Sequence, residues 1–543
     1  MTTQDLGWTP WPAALATYYR AAGYWLGQPL SQLLLRGAAC YSDQTALICG
    51  QRQWSYSQLE QAVTQLAQGV LTLGWQPGDK VVIQLPNRAE FYLLFLALLR
   101  LGIVPVLALP AHRRREIVSF CQQVEAVAYV SADVWQGFDY RVLARQVQAQ
   151  CPTLRHLLVL GEAQELTPWP LAGTPPARAL PAPPPASALA FFQLSGGTTG
   201  LPKLIPRTHD DYFYSVRESA RLCGLTPEQR FLCVLPAAHN YPLSSPGALG
   251  IWWAGGCVIL AEGPEPATAF ELVARHQINH LALVPSLLQL WLAQPNAEVK
   301  LAGIRLLQVG GAPLAPTLAQ QAIQRLPACQ FQQVFGMAEG LVNYTRLGDA
   351  EERLLHSQGR PISPDDKIVI LDDEDRPVPV GQEGNLLTRG PYTIRGYYRA
   401  AEHNALAFTP EGFYRTGDRV RLRADGYLQV VGRSKDQINR GGEKIAAAEL
   451  EACLLQHPAV AAAAALGLPD EALGERICAC LVLKGETPLG LPQLRLFLRE
   501  LGLAEYKLPD RLTLLERLPL TPVGKVHKRR LLEMLQAATM TKD

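Results

Sequence analysis

Along residues 55–74 the apolar side chains Leu59, Val63, Leu66 and Val70 recur at helical spacing, forming one stripe. Ser55 and Gln58 stand at capping-box spacing, and Gly74 is placed to end the helix. The blocks that follow lose this period. KVVIQLP (80–86) reads as a buried strand, followed by a helix near 88–101, a strand over 104–110, a helix over 113–124 and a strand over 126–132. ALAFFQLS (188–195) is another apolar stretch of strand type. Strands alternating with helices predict a parallel, helix-covered sheet, with ligands at the carboxyl ends of its strands. The most apolar run, 90–110, is broken by Arg100, Gly102 and Pro105, so it reads as a buried helix and strand, not a membrane span.

The pattern changes four more times. Residues 165–188 carry so much proline that only an exposed connector is expected there. A second α/β alternation runs from about 230 to 345, then a β-rich, turn-punctuated stretch from about 350 to 432. Beyond it a small α+β pattern appears: a helix near 446–456, strands near 459–467 and 476–484, and a helix over 492–501. We therefore expect an α/β protein with a large N-terminal domain, 1–434, and a small α+β domain, 435–543.

Composition narrows the reading only a little. The 543 residues are 48% hydrophobic and 18% charged, with a net charge of +2, so nothing favours nucleic acid or an anionic membrane as partner. Eleven cysteines are scattered without metal-type spacing, and Cys478 and Cys480 alternate onto one strand face, where packing is expected. The first ten residues lack the basic and apolar regions of a signal peptide, so a cytoplasmic location is expected.

Candidate chemistry begins at LSGGTTGLPK (194–203). Gly196, Gly197 and Gly200 let backbone N–H groups approach an anion closely; Ser195, Thr198 and Thr199 add hydroxyls, and Lys203 a charge. It is not a Walker A loop: Leu201 and Pro202 separate Gly200 from Lys203, and Leu204 replaces the magnesium-binding hydroxyl. Five more segments look site-like: HNYPLSSPG (239–247), a proline-stiffened turn; LLQVGGAPL (306–314), a strand opening into a Gly-Gly turn; QVFGMAEG (333–340), with the lone carboxylate Glu339; YRTGDRVR (414–421), with Asp418 in a turn among arginines; and TPVGKVHKRR (521–530), exposing Lys525. Each has a bland reading alone: Glu339 a solvated acid, Asp418 a turn residue paired to arginine, His239 a polar loop residue, the basic run a solvated helix face.

Together and in this order the six motifs resemble the adenylate-forming superfamily, over about residues 20–535, and most closely its stand-alone aryl-acid adenylating enzymes of siderophore synthesis. The resemblance implies that the glycine-rich loop holds the β- and γ-phosphates of ATP while an acid attacks the α-phosphate. It places Lys525, Glu339 and His239 among the catalytic residues, with Glu339 anchoring Mg²⁺. Val334, Phe335, Gly336, Met337 and Ala338 would flank the adenine pocket opposite Gly310, Gly311 and Ala312, and Asp418 with Arg433 would hold the ribose. Lys435 would be the hinge of a mobile C-terminal domain. Gly441, Gly442 and Lys444 would line the path of a pantetheine arm carried by a separate aryl carrier protein.

The acid would lie among Asn240, Tyr241, Ser245, Gly311 and Val342. Amino-acid-activating relatives have an aspartate at the Asn240 position; neutral Asn240 suits an acid without an α-amino group. Tyr241 offers a stacking face and Ser245 a hydroxyl. Salicylate-activating relatives tend to carry Cys and Leu where this chain has Ser245 and Val342, so the resemblance implies 2,3-dihydroxybenzoate over salicylate. The rival readings are an aryl-CoA ligase, a P-loop NTPase and an inactive scaffold. Two features have no relative to lean on: Asn385, where relatives often place glutamate, and the long proline-rich stretch.

Overall fold

The Ser55 hydroxyl accepts the Gln58 N–H while the Gln58 side chain accepts the Ser55 N–H, and this reciprocal cap starts the helix Tyr56–Thr72. The computed structural model describes residues 6–169, 179–195, 201–433, 437–485, 489–519 and 526–540, without the side chains of 433, 529 and 537–540. Contacts divide the chain into two units: 1–110, 117–195 and 203–432 make the larger; 111–116, 196–202 and 433–543 the smaller.

In the larger unit the predicted alternation forms a seven-stranded sheet. Its order is Leu204–Thr208, Leu189–Leu194, Val104–Leu107, Lys80–Gln84, Ala128–Ala132, His156–Leu160 and Thr167–Pro168. The helices Ala89–Leu101 and Arg114–Val124 fall where the apolar pattern put them. The run 90–110 is thus a buried helix and a buried strand. Among the described residues no helix is long and apolar enough to cross a membrane. Within the proline-rich stretch, Thr167–Pro168 pairs at the sheet edge, the position open to a residue without an N–H. Residues 170–178 lie outside the described residues.

The second alternation builds a nine-stranded sheet: Arg360–Pro361, Leu341–Tyr344, Gln330–Met337, Leu306–Gly310, His280–Leu283, Arg230–Cys233, Cys257–Leu260, Thr45–Cys49 and Arg52–Ser55. From Thr45–Cys49 through Gln330–Met337 neighbouring strands are parallel; the outer pairs are antiparallel. A buried polar ladder crosses three of them: His280 Nε2 meets Gln308 Oε1 at 2.9 Å, and Gln308 Nε2 donates to Gln332 Oε1 at 3.1 Å. A four-stranded sheet, Lys367–Leu371, Glu383–Arg389, Tyr414–Leu422 and Leu428–Arg433, accounts for the β-rich stretch.

The smaller unit holds the expected helices, Ala447–Leu454 and Leu491–Glu500, and strands, Val460–Asp470 and Gly474–Leu483. Gln437–Arg440 and Glu443–Ala446 add a hairpin, Arg511–Leu514 a parallel strand, and Lys528–Met540 a further helix, none of which the apolar pattern announced. Cys478 and Cys480 are buried on one strand face with sulfurs 3.9 Å apart, as the alternation predicts.

Candidate active site

Four of the six motifs lie in described parts of the larger unit, and strand register brings two of them, LLQVGGAPL and QVFGMAEG, together. Gly310 ends its strand opposite Val334, Phe335 faces Asn343, and Gly336 faces Val342. The residues expected to flank adenine and Val342, expected to contact the acid, therefore share neighbouring strand ends. Val334, Met337 and Val342 are buried.

Glu339 sits in the tight turn between Gln330–Met337 and Leu341–Tyr344, and the three carbonyls of the turn are held. Arg207 Nη1 donates to Ala338 O at 2.6 Å, Ile394 N to Glu339 O at 2.8 Å, and Thr393 Oγ1 to Gly340 O at 2.9 Å. Gly340 has φ +113°, and a Cβ there would overlap the Tyr392 carbonyl, so only glycine fits. Tyr397 donates its hydroxyl to Glu339 Oε1 at 2.8 Å and meets the Tyr414 hydroxyl at 2.9 Å. Burial, then the Glu339 charge, hold the Tyr397 phenol well above its usual pKa, so it stays a donor. One carboxylate oxygen is thus pinned, and Oε2 has no protein partner among the described residues. A single buried carboxylate with one oxygen to spare fits Mg²⁺ shared with phosphate oxygens, which needs few protein ligands.

HNYPLSSPG is a short helix, Asn240–Ser244, and not the expected turn. His239 caps it, its Nδ1 accepting the Tyr241 N–H at 3.2 Å. Tyr212 donates to Asn240 Oδ1 at 2.9 Å and Ser244 to the same oxygen at 3.3 Å, which leaves the Asn240 amide N–H₂ without a protein partner among the described residues. Tyr241 is buried and its hydroxyl has no partner among the described residues. Burial, reinforced by the nearby Cys223 thiol, holds that phenol well above its usual range.

Asp418 also differs from expectation. It lies within the continuous strand Tyr414–Leu422, because Tyr414, Thr416, Asp418 and Val420 alternate onto the buried face. The arginines take the other face and pair elsewhere: Arg415 with Asp375, Arg419 with Asp373 and Glu383. Thr416 Oγ1 accepts the Asp418 N–H at 3.0 Å. Asn385 donates to Asp373 Oδ1 at 3.0 Å, which gives it a local part in the adjoining turn.

At the glycine-rich loop, Ser195 and Lys203 close the base: Ser195 N donates to Lys203 O and Lys203 N to Ser195 Oγ, both at 2.9 Å. The strand that follows runs antiparallel at the sheet edge. Gly196, Gly197, Thr198, Thr199, Gly200, Lys435 and Lys525 lie outside the described residues, as does the Arg433 side chain. In the smaller unit Gly441 and Gly442, with φ +59° and +90°, form the hairpin turn between Asn439–Lys444 partners, a geometry that asks for glycine by itself.

The profile of the AMP-binding enzyme family matches residues 34–398, and that of the AMP-binding enzyme C-terminal domain matches 449–525. The chain belongs to the AMP-binding enzyme family. It is 52% identical over 530 residues to a 2,3-dihydroxybenzoate-AMP ligase of Bacillus subtilis, covering 97% of this chain and 98% of that one. It is 50% identical to the vibriobactin-specific 2,3-dihydroxybenzoate-AMP ligase of Vibrio cholerae, over the whole of both. The Mycobacterium smegmatis MbtA apo structure matches with a TM-score of 0.75 at 46% identity, covering 97% of this chain and 98% of that one. The fold is accordingly that of this family: mixed α/β, with a large N-terminal sheet region and a smaller C-terminal part.

Residue-by-residue reading missed Arg207, Tyr397 and Tyr392, which brace the Glu339 turn. The signal was present as a lone arginine inside the apolar strand LIPRT and as the aromatic run GPYTIRGYY.

Proposed function

We propose that the chain activates 2,3-dihydroxybenzoate with ATP and then passes the aryl group to the phosphopantetheine thiol of a separate aryl carrier protein in catecholate siderophore synthesis. In the first step a carboxylate oxygen attacks the α-phosphorus and pyrophosphate departs. In the second the thiol attacks the mixed anhydride and AMP departs. The observation that carries the reading is at Asn240: Tyr212 occupies its Oδ1, which leaves amide hydrogens for ring hydroxyls, and none of Asn240, Tyr241, Ser245 and Val342 is a carboxylate that could bind an ammonium. The two dihydroxybenzoate-activating relatives support the same substrate.

In this reading residues 1–434 bind ATP and the acid, and 435–543 carry Lys525, the charge that neutralises the transferring phosphate. Glu339, through its spare oxygen, would hold Mg²⁺, whose chemistry is charge neutralisation on the phosphate oxygens. Asp418 and Arg433 hold the ribose, the loop 195–203 the departing phosphates, and Lys435 the hinge. Gly441, Gly442 and Lys444 admit pantetheine. Eleven free cysteines suit a reducing, cytoplasmic setting.

The test is acid-dependent ATP–pyrophosphate exchange with 2,3-dihydroxybenzoate, salicylate, benzoate and amino acids. Exchange strongest with the dihydroxy acid, and nearly abolished in Lys525→Ala with ATP binding intact, is the expected result. A salicylate preference would keep the reaction and overturn the pocket assignment; silence with every aryl acid would overturn both.

A further inference from the structure

Val342 is an interior residue of a short strand, and its peptide edge poses a pairing problem. Its carbonyl accepts the Ile362 N–H at 3.1 Å, so that edge faces the flanking strand Arg360–Pro361. In an antiparallel strand a residue's N–H and C=O point to the same side. The paired part of the flanking strand ends at Pro361, opposite Asn343, so it supplies no carbonyl for the Val342 N–H. The Tyr392 hydroxyl fills that place, accepting the Val342 N–H at 3.2 Å. The same hydroxyl donates to Asp366 Oδ2 at 2.7 Å, and Asp366 Oδ2 also accepts the Ser363 N–H at 3.1 Å. Tyr392 and Val342 are buried, and the Tyr392–Asp366 contact is partly so.

The other end of Tyr392 does separate work. Its carbonyl accepts Arg207 Nη2 at 3.0 Å and lies against Gly340, beside Glu339. One residue therefore touches both ends of the turn 338–342: by its backbone at the carboxylate end, by its hydroxyl at the acid-pocket end. Removing the hydroxyl alters only the second.

We propose that Tyr392, oriented by Asp366, is a positioning residue for aryl-acid specificity, because it fixes the Val342 backbone that forms the pocket wall. The proposal rests on the reading of Val342 as an acid contact. Without the hydroxyl the Val342 N–H is buried and unpaired, and the strand shifts to find another acceptor. A wall that moves relaxes discrimination between acids that differ by one ring hydroxyl.

The experiment compares wild type, Tyr392→Phe, Asp366→Asn and Asp366→Ala in ATP–pyrophosphate exchange, varying 2,3-dihydroxybenzoate, salicylate and ATP. In Tyr392→Phe the kcat/KM ratio of the two acids should fall about tenfold through the acid KM, with the ATP KM within about twofold. Asp366→Asn keeps an acceptor for the phenol and should keep the ratio; Asp366→Ala should move it toward the Phe variant. An unchanged ratio in either Tyr392→Phe or Asp366→Ala, or an equal loss for both acids together with a raised ATP KM, overturns the proposal. A wild type that prefers salicylate overturns the substrate reading instead, and the shift of the ratio between wild type and Phe variant still decides the role of Tyr392.

Discussion

Arg207 in the larger unit and Arg440 in the smaller each bond an aspartate, and the two pairs differ in where water is. Arg207 and Asp211 are both only 2% exposed, whereas Arg440 and Asp510 keep 23% and 18% of their side-chain surface. Arg440 gives its whole fork to the carboxylate, through Nε at 2.8 Å and Nη2 at 2.7 Å. Arg207 divides its fork: Nε donates to Asp211 at 2.9 Å, and the two terminal nitrogens also serve the carbonyls of Ala338 and Tyr392. The same chemical pair is thus a brace for the Glu339 turn in one unit and a tie between a hairpin and a strand end in the other. Burial decides its worth, because a dry carboxylate left alone is far costlier than a wet one.

The two arginines are not interchangeable. Arg207→Ala should lower the unfolding free energy by about 3–5 kcal/mol in urea titration, and abolish acid-dependent exchange, since Asp211 and two site carbonyls lose their partner. Arg207→Lys should recover only part of either, because an ammonium lacks the planar fork. A buried group that stays neutral sharpens the contrast. Burial pushes His280 down from 6.5 to about 4, so the folded protein refuses a proton that the unfolded chain accepts. Its contribution is intact above pH 6.5 and is lost as pH falls toward 4, a change of ~3 kcal/mol. Asp366, raised by burial to about 8, acts in the opposite sense over an overlapping range, so the measure is the difference between His280→Gln and wild type across pH. The variant should lack the loss between 6.5 and 4. The smallest effect belongs to Arg440→Ala, at or below about 1 kcal/mol. Burial alone would raise the Asp510 carboxyl, but the Arg440 bonds outweigh it and hold the pKa below the usual range. The wild type should therefore lose a little stability at acid pH as Asp510 is protonated, and the variant less.

Much of the fold was legible because apolar periodicity records which face of each element is dry. Tyr56–Thr72, Ala89–Leu101 and the strands beside them follow from it directly. Two local readings failed for a shared reason: proline, glycine and charge were taken as turn signals in HNYPLSSPG and YRTGDRVR. In the first, His239 supplies a cap and the segment coils into a helix. In the second, strand alternation absorbs the arginines on the wet face. The motif residues were visible as motifs, yet their supports were not. Arg207, Tyr397 and Tyr392 act across large sequence separations, and no local pattern records which carbonyl or carboxylate they will meet.

The register of the nine-stranded sheet also bears on synthesis. Thr45–Cys49 pairs in parallel with Cys257–Leu260, Leu47 against Val258. The hairpin Thr45–Ser55 therefore leaves the ribosome long before its permanent neighbour exists, while the strands of the seven-stranded sheet, Lys80 to Thr208, are all made in between. At ordinary elongation rates the wait is roughly ten seconds or more. During it the apolar strand Thr45–Cys49 has an open edge, the kind of surface that a chaperone shields in a newborn chain.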